Sequence, residues 1–174
     1  MDANWEQQIV VGVKGPAARA ALRWAAREAG VRKASLLVVR VWDPARHAAP
    51  YAPLGATPTG EEGLTSARED LADAVLGAFG LDVPACVTVE LAEGIAERVL
   101  VGRSAGADLL VLGASGLSDH EGWTAGPVVR ACLAHSRCPV VVVGTSSAAA
   151  PPAPATRHLM PTGPKDLGLR GVGH

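Results

Sequence analysis

Three glycines stand at a spacing that suits phosphate: Gly113, Gly116 and, ten residues on, Gly126, within the stretch LGASGLSDHEGWTAGPVVRA (Leu112–Ala131). Glycine lets a backbone approach a ligand closely and turn where other residues clash. The stretch follows an apolar run and leads into a helix-like segment, whose first N–H groups are free to bind an anion. A second loop, VGVKGP (Val11–Pro16), adds Lys14 as a cation. Other residues oppose phosphate binding. Pro127 has neither hydroxyl nor N–H where a donor is wanted, Asp119 and Glu121 repel a polyanion, and no Lys or Arg lies between Gly113 and Gly126. A hydrogen bond to a charged group is worth about 1.5–3 kcal/mol. Losing two or three of them removes about 3–6 kcal/mol, or about a hundredfold to ten-thousandfold in affinity. Lys14 and Arg130 are the cations placed to compensate.

These loops must be held by regular elements, and two kinds of segment alternate. Short runs rich in Val and Leu read as strands: Gln8–Lys14, Ala34–Trp42, Ala85–Leu91, Ala107–Ala114 and Pro139–Gly144. Several are almost wholly apolar, as strands covered on both faces are. Between them lie helical stretches at Pro16–Gly30, Thr65–Gly80, Glu93–Ala107 and Gly126–Ser136. The first opens on proline and closes on glycine. The second has Ser66 and Glu69 in capping-box spacing, with Leu71, Val75, Leu76 and Phe79 as its apolar stripe. The third places Ile95, Val99, Leu100 and Arg103 around a helix. Strict alternation predicts an α/β domain: a five-stranded, parallel, doubly wound Rossmann-like sheet with helices on both faces. Residues 1–7 read as an N-terminal extension, 8–144 as the domain, 43–63 as a long loop, and 145–174 as a disordered Ala/Pro/Gly-rich tail. Ligands in such sheets bind beyond the carboxyl ends of the strands, where strand order reverses. In the usual order that point lies between the first and fourth strands, the two that carry the loops above.

Composition weighs against several roles. Sixteen basic residues oppose seventeen acidic ones, so no basic surface favours nucleic acid or an anionic membrane. The opening MDANWEQQIVVGV lacks the basic and apolar regions of a signal peptide, and no apolar run nears the roughly 20 residues that cross a bilayer. Cys86, Cys132 and Cys138 form no C-x-x-C pair and read as reduced thiols. The expectation is a cytoplasmic protein. Asp119, His120 and Glu121 read as a solvated loop tip, so no metal site is expected. His135 suits the C-terminal end of its helix, and Lys14 as a catalytic amine has no identifiable partner base.

G-x-x-G, nine residues, then G before a helix and CPVVVV resembles the universal stress protein family. The VVGVKG first strand, GADLLVLGASG and HSRCPVVVV support the likeness, which covers about Gln8 to Gly144. It implies a Rossmann-like domain that dimerises through its last strand and, in some members, binds ATP between the first and fourth strands. It places the cleft on Val13, Lys14, Val41, Gly113, Ser115, Gly116, Gly126, Pro127 and Val128. The match to the nucleotide-binding branch is partial. Pro127 stands where Ser or Thr follows the last glycine, and Val129 where a second hydroxyl is common. Lys14 replaces the usual Asp, and Gly15 the usual Ser. Val41 keeps the position that packs on adenine. The resulting expectation is a non-enzymatic regulatory or binding protein with a degraded adenine-nucleotide cleft and no tightly held cofactor. It forms a homodimer through the Pro139–Val143 strand. The rival expectation is an ATP-binding, nucleotide-responsive switch.

Overall fold

The computed structural model describes residues 5–44, 60–114 and 125–144. Nine elements follow one another: β1 (Gln8–Gly12), α1 (Ala18–Arg32), β2 (Ser35–Trp42), α2 (Gly60–Phe79), β3 (Val87–Glu93), α3 (Ala96–Ser104), β4 (Leu109–Ala114), α4 (Pro127–His135) and β5 (Val140–Gly144). The sheet is parallel throughout, in the order β3-β2-β1-β4-β5. The α/β, doubly wound, Rossmann-like architecture read from the alternation is the one observed.

Strand burial follows strand position. Ile9, Val10 and Val11 of β1 and Leu110 and Val111 of β4 have no exposed surface, because each strand has neighbours on both sides and helices on both faces. The edge strands are less covered. Val89 of β3 is 44% exposed, and every residue of β5 is half-buried. Alternate residues of each strand feed two separate cores. Ile9, Val11, Leu36, Val38, Leu109 and Val111 pack with Ala21, Leu22 and Ala25 of α1 and Leu71 and Ala74 of α2. On the other face, Val10, Val39, Val41, Leu110 and Leu112 pack with Leu100 of α3 and with Val129 and Cys132 of α4. The first of these cores is the larger.

Some boundaries differ from the expected ones. α2 begins at Gly60, so Ser66 and Glu69 lie inside the helix and the end of the 43–63 segment is already helical. Glu61 and Glu62 in its first turn complement the helix dipole, a start signal the capping-box spacing overshadowed. Its buried stripe is Ala67, Leu71 and Ala74, while Leu76 is 54% exposed. At 3.6 residues per turn Leu76 sits about 140° round the helix from Leu71. Ile95 precedes α3 as its N-cap and is 45% exposed. Lys14 lies beyond the end of β1, in the loop, and not within the strand. The expectations for Ser115, Gly116, Asp119, His120, Glu121, the 145–174 tail and most of the 43–63 loop fall outside the described residues. Among the described residues no helix is long and apolar enough to cross a membrane, and no cluster of three metal-ligating side chains occurs.

A cavity at the switch point of the sheet

β1 and β4 are paired from Ile9–Leu109 to Gly12–Leu112, and there their chains part. β1 leads to α1 on one face of the sheet and β4 to α4 on the other, which opens a crevice beyond the strand ends. A cavity of about 340 Å³ occupies it, within the usual range for small-molecule sites. Of the residues expected at the cleft, Val13, Lys14, Val41, Gly113, Gly126, Pro127 and Val128 all line this one cavity. Ser115 and Gly116 are not among the described residues. Arg130, expected to reach a phosphate, is exposed on α4 and does not line the cavity. Four residues on from Gly126, it stands about 6 Å further along the helix axis, away from the helix start that lines the cavity.

The glycines have different reasons to be glycine. Gly15 has φ +66°, a backbone region that side chains with a Cβ rarely enter. A Cβ on Gly113 would lie 2.8 Å from the Cβ of Ala17 and 2.9 Å from its carbonyl carbon and oxygen. Gly113 therefore lets the start of α1 close on the end of β4. Gly126 has neither reason. Its φ of −61° suits any residue, and a Cβ there would meet nothing within 4 Å. It faces the cavity, so a side chain there would occupy space that a ligand would fill.

Two helix N-termini meet this space. α4 starts with Gly126 as an N-cap without a side-chain bond and Pro127 in the first turn, so its first helical hydrogen bond runs from Arg130 N to the Gly126 carbonyl, at 3.0 Å. That leaves the N–H groups of Val128 and Val129, both lining the cavity, without partners among the described residues. α3 is similar. Ile95 caps it without a side-chain bond, and Arg98 N and Val99 N both donate to the Ile95 carbonyl, each at 3.0 Å. Its first residue, Ala96, also lines the cavity.

Sequence reasoning missed Arg40. This β2 residue is only 8% exposed yet lines the cavity. Its Nη2 pairs with Oδ2 of Asp70 on α2 at 2.8 Å, its Nη1 donates to the Val41 carbonyl, and its Nε has no partner among the described residues. An arginine inside an otherwise apolar strand, SLLVVRVW, was the available signal. Alternation alone would have placed it against the α1–α2 core, where a charge needs a partner. The remaining walls are apolar, from Val39, Leu100, Leu112 and Ala114 among others. Among the described residues no carboxylate lines the main cavity. Asp43 and Glu97 line a smaller recess of about 90 Å³ that shares Lys14, Arg40, Val41, Ala96 and Val128 with it.

The α3–α4 layer is tied down beneath the cavity. Ser104, 1% exposed, donates through Oγ to the Val101 carbonyl at 2.7 Å and accepts from Arg137 N at 3.0 Å. Cys132, with no exposed surface, has its thiol pushed up to about 11 by burial, with the Glu97 charge adding to the effect. Burial also raises the Cys138 thiol. Both are packing residues in their protonated form.

Comparison with known proteins gives the family and the fold. The family model described as the universal stress protein family matches residues 6–144. Universal stress proteins from two Mycobacterium tuberculosis strains, CDC 1551 / Oshkosh and ATCC 25618 / H37Rv, are each 33% identical over 138 residues, or 78% of this chain. The match covers 46% of their length, so the chain spans about half of these relatives. A universal stress protein from Archaeoglobus fulgidus shares the fold at a TM-score of 0.57 and 22% identity, covering 78% of this chain and 97% of that one. A structure of the Archaeoglobus fulgidus protein in complex with dAMP matches at 0.54 and 22%, covering 78% and 96%. By its sequence match, and with the fold in agreement, the chain belongs to the universal stress protein family.

Proposed function

We propose that the chain is a non-enzymatic, cytoplasmic regulatory binding module whose ligand site is the cavity between β1 and β4. The observation that carries this reading is the convergence of Val13, Lys14, Val41, Gly113, Gly126, Pro127 and Val128 on one cavity at the switch point. The same fold has been solved with dAMP in the Archaeoglobus fulgidus protein, which favours descent from an adenine-nucleotide cleft. Pro127 in the first turn of α4 removes one N–H from the rim, and with the family's hydroxyls absent, triphosphate binding is weak. Among the described residues the lining offers no carboxylate to hold a metal or activate water. A dimer forms through β5, an edge strand whose half-buried valines have no strand neighbour on their outer side among the described residues.

Calorimetric titration with ATP, on the native chain and on Pro127→Ser, tests the cleft. The variant regains both an N–H and a hydroxyl, and ATP affinity is expected to rise tenfold or more. Equal affinity in the two proteins would refute the role given to the proline. Light scattering tests the dimer, which a monodisperse monomer would exclude. Phosphate release faster than in buffer would overturn the non-enzymatic reading.

The second reading, a nucleotide-responsive switch, is favoured by Lys14 and Arg40, which bring two cations to the same cavity. It requires that millimolar ATP raise the melting temperature, because a ligand of the folded state alone stabilises it.

A further inference from the structure

The outer faces of α1 and α2 carry opposite charge. α1 holds four arginines and a single acidic residue, Glu28, which is taken by Arg32 at 2.6 Å. Arg19, Arg23 and Arg27 recur at every fourth residue and are exposed; Arg23 and Arg27 stand opposite the buried Ala18, Leu22 and Ala25. α2 is the reverse, with five carboxylates and one basic residue, Arg68. Its Asp70 is taken by Arg40. Glu62 and Glu69, two turns apart, are exposed on the side opposite the buried Ala67, Leu71 and Ala74. Among the described residues none of the three arginines pairs with a carboxylate, and neither glutamate pairs with a cation. The Arg23 guanidinium donates to the Gly77 carbonyl at 2.9 Å. The same two helices leave apolar surface uncovered: Val31 is 81% exposed and Leu76 54%. Half-buried Trp24 and Phe79, with Arg23 and Arg27, line a groove of about 570 Å³. Among the described residues it shares no lining with the cavity at the switch point.

We infer that this face docks a second copy of the chain, antiparallel, with α1 of each copy on α2 of the other. The charge that complements the arginine stripe is present in the chain itself, on the neighbouring helix. A two-fold axis brings the two stripes together twice, once in each half of the contact. Within one copy Arg23 lies level with Gly77, so α1 runs beside the second half of α2. Turned over, Arg23 and Arg27 face Glu69 and Glu62 of the other copy. The two series span about 6 Å and about 10 Å along their helices, a difference that the long arginine side chains absorb. α1 is about 22 Å long and two helices abreast are about 20 Å wide, so each copy contributes about 440 Å². That is below the area of permanent complexes, and exposed ion pairs are individually weak and screened by salt. The association is therefore reversible and salt-sensitive. It uses neither β5 nor the cavity.

The test is sedimentation velocity of the full chain over about a hundredfold range of concentration, at low salt and at about 0.5 M salt. The single chain, or the pair formed through β5, should associate into the next larger species at low salt and at least tenfold more weakly at high salt. Arg23→Glu with Arg27→Glu should weaken this step at least tenfold, and so should Glu62→Arg with Glu69→Arg. All four positions are exposed, so melting curves should stay native. An equimolar mixture of the two double variants should recover the native association, because every reversed stripe then faces a reversed partner. Pairing through β5 is indifferent to all four changes. A salt-independent dimer that persists in both variants would therefore report β5 alone and overturn the inference. A mass fixed at one copy under all conditions would overturn it together with the β5 dimer. Loss in the variants without recovery in the mixture would assign the arginines to an acidic segment other than α2, and would overturn it as well.

Discussion

Replacing Gly113 by alanine tests why the glycines are there, because the geometry gives each a separate cost. The added Cβ would lie 2.8 Å from the Ala17 Cβ and 2.9 Å from two of its backbone atoms. Backbone atoms cannot rotate away as a side chain can, so the start of α1 must move off β4. Overpacking of this kind costs about 1–3 kcal/mol. Loss of chain entropy in the unfolded state returns about 0.4–1 kcal/mol. The net loss is about 1–2 kcal/mol, which for a chain of 174 residues lowers the melting temperature by about 2–8 °C. Gly126→Ala is the matched control, since its Cβ meets open space at an ordinary φ. Its poorer N-cap preference and its entropy gain nearly cancel, leaving stability within about 0.5 kcal/mol. Calorimetric melting of both variants reads the difference. An unchanged melt for Gly113→Ala, or an equal drop for Gly126→Ala, would refute the assignment of Gly113 to packing and Gly126 to cavity space.

Three further outcomes are expected. Asp70→Ala leaves the buried Arg40 with only the Val41 carbonyl and should cost about 1–2 kcal/mol, allowing for the half-exposed position of Asp70. Arg40→Met with Asp70→Ala should cost less than the sum of the single changes in urea melts. Ser104→Ala removes the acceptor of Arg137 N at a part-buried joint and should cost about 0.5–1.5 kcal/mol by the same melts. Cys132 should resist maleimide at pH 8 until the chain unfolds, and rapid labelling of the native protein would contradict its burial. Its raised thiol also fixes a pH effect. The folded state holds the proton more tightly, so the stabilisation is complete below the unfolded value near 9. It is lost as pH rises toward about 11, by about 2–3 kcal/mol in all. Stability measured from pH 8 to 11 should fall by about that amount more in the native chain than in Cys132→Ala.

The sequence made the framework legible through the Val- and Leu-rich runs of β1, β2 and β4, whose two-sided burial leaves no doubt about strand character. The position of the cavity followed from strand order, since only one pair of neighbouring loops lies where the winding reverses. Legibility failed where the local signal competed with a longer-range one. Ser66 and Glu69 mimic a helix start, yet the acidic Glu61 and Glu62 upstream extend α2 to Gly60. Arg40 was hidden because its role depends on Asp70, thirty residues away on another element. Arg130 has the right charge but stands a full turn along α4 from Gly126, exposed and outside the cavity lining. The G-x-x-G spacing did not reveal that Gly113 serves the approach of Ala17 while Gly126 serves empty space.

The unequal cores on the two faces of the sheet have a dynamic consequence. α1 and α2, of 15 and 20 residues, grip the larger core, whereas α3 and α4 have nine residues each and border the cavity. Short helices over a smaller core open more readily, so amide exchange should be fastest in the layer that meets the ligand. A molecule seated in the cavity would then slow exchange in α3 and α4 while leaving α1 and α2 at their native rates. The two faces thus divide the work: one sustains the fold, and the other registers occupancy as a change in local order.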